Sequence, residues 1–525
     1  MIESGVLLAT SRLIVTALAL AAGPWLAAAQ PAYTNPTLPG DHPDPSIIRV
    51  GDDYWATATT SQWAPIFPLL HSRDLVNWEQ IGAVFQRPPA WSDGSYWAPE
   101  IAHDGGRFLV YYTARKKNGP LCVAVATAPA PDGPYRDHGP LVCQEAGSID
   151  AVAVTDEQGR RYLVWKEDGN SRKQPTPLWA QRLSSAGTAL VGARQELLRN
   201  EMPWEAHVIE GAFILRRNGW FYLFYSGDAC CGRACNYKLG VARARALLGP
   251  WERNPANPIL AANDAWKCPG HGSVVTTTAG RDFLLYHAYE PDPLQFAGRQ
   301  GLLDEITWAA GWPAINGGLG PSHQANAAPA GISARERPRE FVDELAGPAL
   351  QAGWQWPWNR APERRFVAGS LALRASANAN GSAVDAVVAR ATVSGNYTAT
   401  ARLAGAGVFR SAMAGLAAYA DSDNAIGIAR DGSGVVVWVR EKGLQRSLAS
   451  AEVTAGPSLD LRMIASIGRR FQFAYSTDGR EWRTLGEQAE GGYRPIWERT
   501  VRVALAVGGR PGAEGRFDWV RIEMR

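Results

Sequence analysis

The chain has 525 residues, more than one hydrophobic core supports, so two domains are the starting expectation. Its 53 Lys and Arg nearly balance its 50 Asp and Glu, and no basic run breaks that balance, which argues against nucleic acid as a partner. Most of the 21 tryptophans are expected to fill β-protein cores, and those that reach a surface offer flat faces for sugar rings.

At the N-terminus, Arg12 precedes the apolar stretch LIVTALALAAGPWLAAA, which ends in Ala27-Ala28-Ala29 before Gln30. A charged start, an apolar stretch and a small-residue cleavage site spell a secretory signal peptide over residues 1–29. A membrane anchor fits less well, because the stretch is short and broken by Gly23-Pro24. The mature chain is therefore expected to be secreted or periplasmic, with no membrane association after cleavage.

From about residue 33 to 320 one phrase recurs five times: a polar residue, a short apolar strand, a turn and an aromatic-rich strand. The copies are Asp44-PSIIRVGDDYWATATT, Glu100-IAHDGGRFLVYYTA, Asp150-AVAVTDEQGRRYLVWK, Glu210-GAFILRRNGWFYLFYS and His271-GSVVTTTAGRDFLLYHAY. Their leading residues are 56, 50, 60 and 61 positions apart. Outer strands follow each hairpin, as in Pro68-LLHSRDLVNWEQIG and Leu239-GVARARALLGPWERNP. No long segment has capped helical periodicity, so an all-β fold is expected, with a propeller of five four-stranded blades.

Between Gly317 and Pro338 the alternation gives way to Ala, Gly, Pro and Ser, which predicts a linker or surface strap over about 321–340. From 341 to 525 a second β pattern appears without the repeat, including Tyr397-TATARLA, Gly434-VVVWVRE, Arg470-FQFAYSTDG and Gly515-RFDWVRIEMR. Many strands with short polar turns predict a sandwich of two antiparallel sheets.

Six cysteines suit an oxidising compartment. Cys122 and Cys143 flank a strand and a loop of the second repeat, where a bridge is expected. Cys230, Cys231, Cys235 and Cys268 cluster around the fourth and fifth repeats without clean C-x2-C pairs, which favours disulfides over zinc. Their pairing stays open, a vicinal Cys230–Cys231 bridge included.

In a propeller the innermost strand of every blade lines one funnel, so the leading residues of the repeats should converge. A single inward carboxylate is usually a satisfied structural group. Several at matching positions repel one another, which raises at least one pKa and lets one carboxyl stay protonated while another is ionised. Cleavage of a glycosidic bond needs such a pair.

The words around these residues are more specific than the repeat: His42-Pro43-Asp44-Pro45-Ser46, Trp97-Ala98-Pro99-Glu100, Ser148-Ile149-Asp150, His207-Val208-Ile209-Glu210-Gly211 and Gly270-His271-Gly272-Ser273. Together they resemble glycoside hydrolase family 43, over residues 35 to 320 and in blade order. The resemblance implies a secreted enzyme that releases xylose or arabinofuranose with inversion from arabinoxylan, xylo-oligosaccharides or arabinan. It makes Asp44 the general base, Glu210 the general acid and Asp150 the residue that orients the acid and adjusts its pKa. An apolar approach around Ile209 and Phe213 is expected to keep Glu210 protonated. Base and acid should stand about 6.5–9.5 Å apart to admit a water.

The same resemblance makes Arg299 a sugar-binding residue, Trp97 and Trp204 candidate walls, and Glu100 either a substrate contact or a hydrogen-bonding support. It places His271 beneath the site on the propeller axis, where some members hold calcium through water; no cofactor is otherwise required. The ending Phe517-Asp518-Trp519-Val520-Arg521 resembles the concanavalin-like sandwich attached to this family, which packs on the propeller in relatives. Two alternatives are a propeller that binds sugar without cleaving it and an endo-arabinanase. A retaining fructan or sucrose hydrolase would carry Asn-Asp-Pro-Asn and Arg-Asp-Pro, and neither word occurs.

Overall fold

Tight two-residue turns punctuate the alternating apolar runs and fold them into hairpins. Asn218 and Gly219 both take left-handed backbone (φ 49° and 74°) between Ile209–Arg217 and Trp220–Gly227. Gly105 and Gly106 do the same (57° and 76°) between Trp97–Asp104 and Arg107–Arg115. This is the turn whose twist matches paired strands, and it selects Asn and Gly because both central residues need positive φ.

The computed structural model describes residues 1–2, 31–291, 297–404, 412–432, 434–453, 458–491 and 500–525. The expected signal peptide, apart from Met1 and Ile2, lies outside the described residues. The five repeats form five four-stranded antiparallel sheets, each running outward in chain order from its inner strand. The inner strands are Ser46–Val50, Trp97–Asp104, Ser148–Thr155, Ile209–Arg217 and Lys267–Thr276. Each packs against the inner strands on both sides, the fifth against the first, so the sheets close into a ring. Between blades the core is aromatic: Phe67, Phe85, Tyr96 and Tyr112 interlock at centroid distances of 5.3–6.4 Å where the first blade meets the second.

The segment before the first blade seals the ring. Leu38 exchanges backbone hydrogen bonds with Gly301 of the fifth blade, and Asn35 pairs with Leu303 through both ends of its amide. Ala32–Tyr33 then pairs with Asn326–Ala327, and Arg337 donates to the carbonyls of Thr34 and Pro36, so the Ala- and Pro-rich stretch runs as a strap along the propeller.

From Glu340 onward the chain builds two antiparallel sheets face to face, with Leu403, Leu416, Leu461, Phe473, Leu505 and Phe517 in the layer between them. One of these sheets extends into the propeller: Trp356 and Pro357 pair with Ala64 and Trp63. Arg502 of the sandwich lies over Trp63 (4.5 Å) and donates to Asp41 (3.3 Å), as does Thr500 (3.3 Å). Asp41 also accepts the backbone N–H of Arg299 (3.4 Å), so the sandwich is docked on the loop that leads to Asp44. Arg502 and Asp41 are both nearly buried. Replacing Arg502 with Ala strands a buried carboxylate and is expected to cost about 3 kcal/mol, read as a lower denaturant midpoint.

Candidate active site

Near the start of each inner strand a residue at a matching place takes left-handed backbone: Asp44 (φ 50°), Ala98 (41°), Asp150 (56°), Gly211 (60°) and His271 (39°). For the four that are not glycine this conformation costs about 1–3 kcal/mol, and such strain persists where surrounding structure fixes it. Here the fixing is explicit. The residue just before each kink pairs with the end of its own blade's second strand, at Thr59, Thr113, Lys166, Ser226 and His287 in turn. Side chains from that ring then catch the kinked N–H of the next blade. Ala98 donates to Thr59 (2.6 Å), Asp150 to Thr113 (3.2 Å), His271 to Ser226 (2.9 Å) and Asp44 to His287 (3.1 Å).

Lys166 breaks the rule, because an ammonium has no acceptor. The orphan N–H of Gly211 is taken instead by Asp150 Oδ2 (3.1 Å). Lys166 turns its charge onto the neighbouring carboxylate, donating to Glu210 Oε2 (2.6 Å) and to Asp168 Oδ1 (2.9 Å).

Above the kinks lies a cavity of about 330 Å³, whose lining includes Asp44, Asp150, Glu210, His271 and Arg299. The three carboxylates thus meet in one pocket, although they start three different blades. Asp44 is gripped at both oxygens: Arg299 Nη1 donates to Oδ1 (2.9 Å) and Thr59 to Oδ2 (2.7 Å). Burial pushes its carboxyl up, but Arg299, His271, His287 and Thr59 outweigh that and hold it at about 2. Asp150 goes the other way. Burial first, then repulsion from Glu210 and Asp44, raise it to about 6 against the pull of His271 and Lys166.

Glu210 differs from expectation. Burial pushes it up, but the Lys166 ion pair, His271 and a hydrogen bond from Tyr237 (3.0 Å) hold it below the ordinary carboxylate range. The apolar surroundings of Ile209 and Phe213 do not decide its charge, because Lys166, His271 and Tyr237 together outweigh desolvation. In the empty pocket the raised carboxyl is Asp150.

The remaining expected site residues divide. Trp97 lines the cavity, as does the loop that carries the vicinal Cys230–Cys231 bridge. Trp204 is absent from that lining; its ring packs against Tyr225 (5.5 Å) and over Gly227 and Gly240, where even a Cβ would collide. Glu100 sits two residues beyond the kink of its strand and therefore one layer deeper. There it accepts from Ser273 of the fifth blade (3.2 Å), outside the cavity lining, and burial raises it to about 7 against the opposing pull of Ser46, His271 and Ser273. The repeat anchors that align in sequence thus occupy different heights in the funnel.

His271 stands between the carboxylates, with Nδ1 3.4 Å from Asp44 and 4.0 Å from Asp150. Gly211 packs on its ring so closely that a Cβ would lie 2.7 Å from it. Among the described residues no group of three or more His, Cys, Asp and Glu is arranged to hold a metal ion. The donors around His271 are committed to Arg299, Thr59 and Gly211, which is a poor fit to the calcium expected there. The cysteines form Cys122–Cys143, Cys230–Cys231 and Cys235–Cys268, which replaces the zinc alternative and closes the open pairing. The last bridge ties the loop of the fourth blade to the strand carrying His271.

Lys166, His287, Thr59 and Tyr237 were not singled out from sequence. The one available signal was Lys166, a cation ending the apolar run YLVW where the other repeats place Thr, Ser or His.

Fold and site together define a five-bladed propeller that gathers three carboxylates from three blades in one pocket. The chain belongs to the glycosyl hydrolases family 43, whose model matches residues 33–313, and residues 342–495 match the "Beta xylosidase C-terminal Concanavalin A-like domain". It is 32% identical over 318 residues to "Xylosidase/arabinosidase 43B" of Humicola insolens, covering 56% of each chain. It is 26% identical over 432 residues to "Non-reducing end alpha-L-arabinofuranosidase BoGH43B" of Bacteroides ovatus, covering 77% of each. Among solved structures, the GH43 protein BlXynB of Bacillus licheniformis superposes with a TM-score of 0.80 at 25% identity, over 94% of this chain and all of that one. The chain spans a little over half the length of the first curated relatives it matches.

Proposed function

We propose that this chain is an exo-acting glycosidase that releases xylose or arabinofuranose from hemicellulose-derived glycans with inversion at the anomeric carbon. The observation that carries the reading is one cavity that gathers Asp44, gripped by Arg299 and Thr59, with Asp150 and Glu210; in it Asp44 is held low and Asp150 is raised to about 6. Asp44 takes a proton from a water whose oxygen bonds to the anomeric carbon. On the opposite face the glycosidic C–O bond breaks, its electron pair stays on the leaving oxygen, and Glu210 supplies the proton. Asp150 feeds that proton to Glu210, and Arg299 holds Asp44 on the water. The cavity is at the small end of ligand pockets, which suits a terminal sugar better than a through-running polymer.

Three disulfides that use every cysteine support the secreted or periplasmic location. No helix among the described residues is long and apolar enough to cross a membrane. Proton NMR of the first-formed sugar during cleavage of nitrophenyl xyloside and arabinofuranoside tests the reading. Inversion of the anomeric signal is expected; retention, or no cleavage of either substrate, overturns it.

A further inference from the structure

We propose that Lys166 is a positioning residue for the acid, aiming the Glu210 carboxyl at the leaving oxygen. The inference rests on the role given above to Glu210. It is carried by the ring of residues under the funnel mouth. Thr59, Thr113, Ser226 and His287 each end a second strand and each accept a backbone N–H from the next blade. At the equivalent place in the third blade, the acceptor is replaced by a cation that can accept nothing.

The replacement has two consequences that act together. Asp150 accepts the Gly211 N–H, which ties its carboxyl to the residue adjoining Glu210. Lys166, 1% exposed as a side chain, is locked between Glu210 and Asp168 and cannot relax into water. A buried ammonium persists only when paired, and Lys166 is paired with two carboxylates where the neighbouring blades place Thr or Ser. The charged groups that act on the carboxyl pair are Lys166, His271 and Asp44, with the Tyr237 hydroxyl on Glu210. Lys166 alone among them donates its charge directly to Glu210. When a glycosidic oxygen arrives, the carboxyl pair is desolvated further and the proton passes from Asp150 to a Glu210 already aimed by Lys166.

The test is the pH profile of two variants. Lys166→Thr restores the ring pattern, so the Gly211 N–H gains the acceptor found in the other blades and the fold is expected to persist. Lys166→Met removes the charge while keeping the bulk. In both, the pair loses a cation that favours its ionised form, so it holds its proton to higher pH. The basic limb of kcat/KM is expected to move up by about one to three pH units. Because the acid is no longer aimed, kcat on a xylosyl or arabinosyl disaccharide should fall at least about tenfold, with 2,4-dinitrophenyl substrates nearly spared. Lys166→Arg should return the limb to within about half a unit of the wild-type position, since its charge is restored. An unmoved limb in both uncharged variants, with equal loss on all leaving groups, overturns the proposal and makes Lys166 structural. A wild type that cleaves no glycoside overturns the function itself, a result distinct from either.

Discussion

Asp44→Asn should lower kcat by about 10²–10⁴-fold on every substrate, whatever its leaving group, because no base then takes the proton from the attacking water. Asn is the informative replacement. Its carbonyl oxygen still accepts from Arg299, as Asp44 Oδ1 does at 2.9 Å, so the pocket keeps its shape while losing the ability to take a proton. Asp44→Ala should lose as much activity and also stability, since Arg299 is then a buried cation without its carboxylate. Azide small enough to occupy the vacated space should restore turnover to Asp44→Ala and yield a glycosyl azide of inverted configuration. Asp44 is held at about 2, so wild-type kcat/KM should stay flat on the acid side down to the limit of folding. An Asp44→Asn enzyme with more than about a tenth of wild-type activity would remove Asp44 from the role of base.

Glu210→Gln carries the second large effect, and its mark is selectivity. Without a proton donor, departure of a sugar alkoxide is slowed by about 10²–10⁴-fold, whereas 2,4-dinitrophenolate leaves without help and should be released at close to the wild-type rate. The basic limb near pH 6, which reports the proton of the Asp150–Glu210 pair, should vanish for the activated substrate and persist in wild type on disaccharides. Equal losses on both leaving groups would place Glu210 in binding rather than in proton donation.

Much of this was legible along the chain, and the reasons are local. The Asn218-Gly219 and Gly105-Gly106 hairpins follow from the φ that such turns demand. Period-two alternation placed the inner strands within a few residues, and the repeat spacing set their number. The sandwich was read less completely: Gly434–Glu441 and Arg470–Ser476 were anticipated, but Trp354–Pro357 and Asn424–Asp431 were not. In the first, half the pairing is with the propeller, which no local pattern announces. Trp204 and Trp97 look alike in sequence, and one packs against Gly240 while the other lines the cavity. Glu100 shares a repeat position with Glu210, yet the kinks fall at Ala98 and Gly211, before one and after the other, so the two carboxyls end at different depths.

The chain alone therefore determined an all-β propeller followed by a second β domain, and it named the three carboxylates, because strand alternation, turn chemistry and repeat phase are short-range properties that each segment carries with it. Only the tertiary structure decided their protonation states. Lys166 meets Glu210 across 44 positions, Arg299 meets Asp44 across 255 and Arg502 meets Asp41 across 461. Those charges act through space at a few ångströms once the ring has closed and water has left, and the order of residues along the chain does not encode that distance.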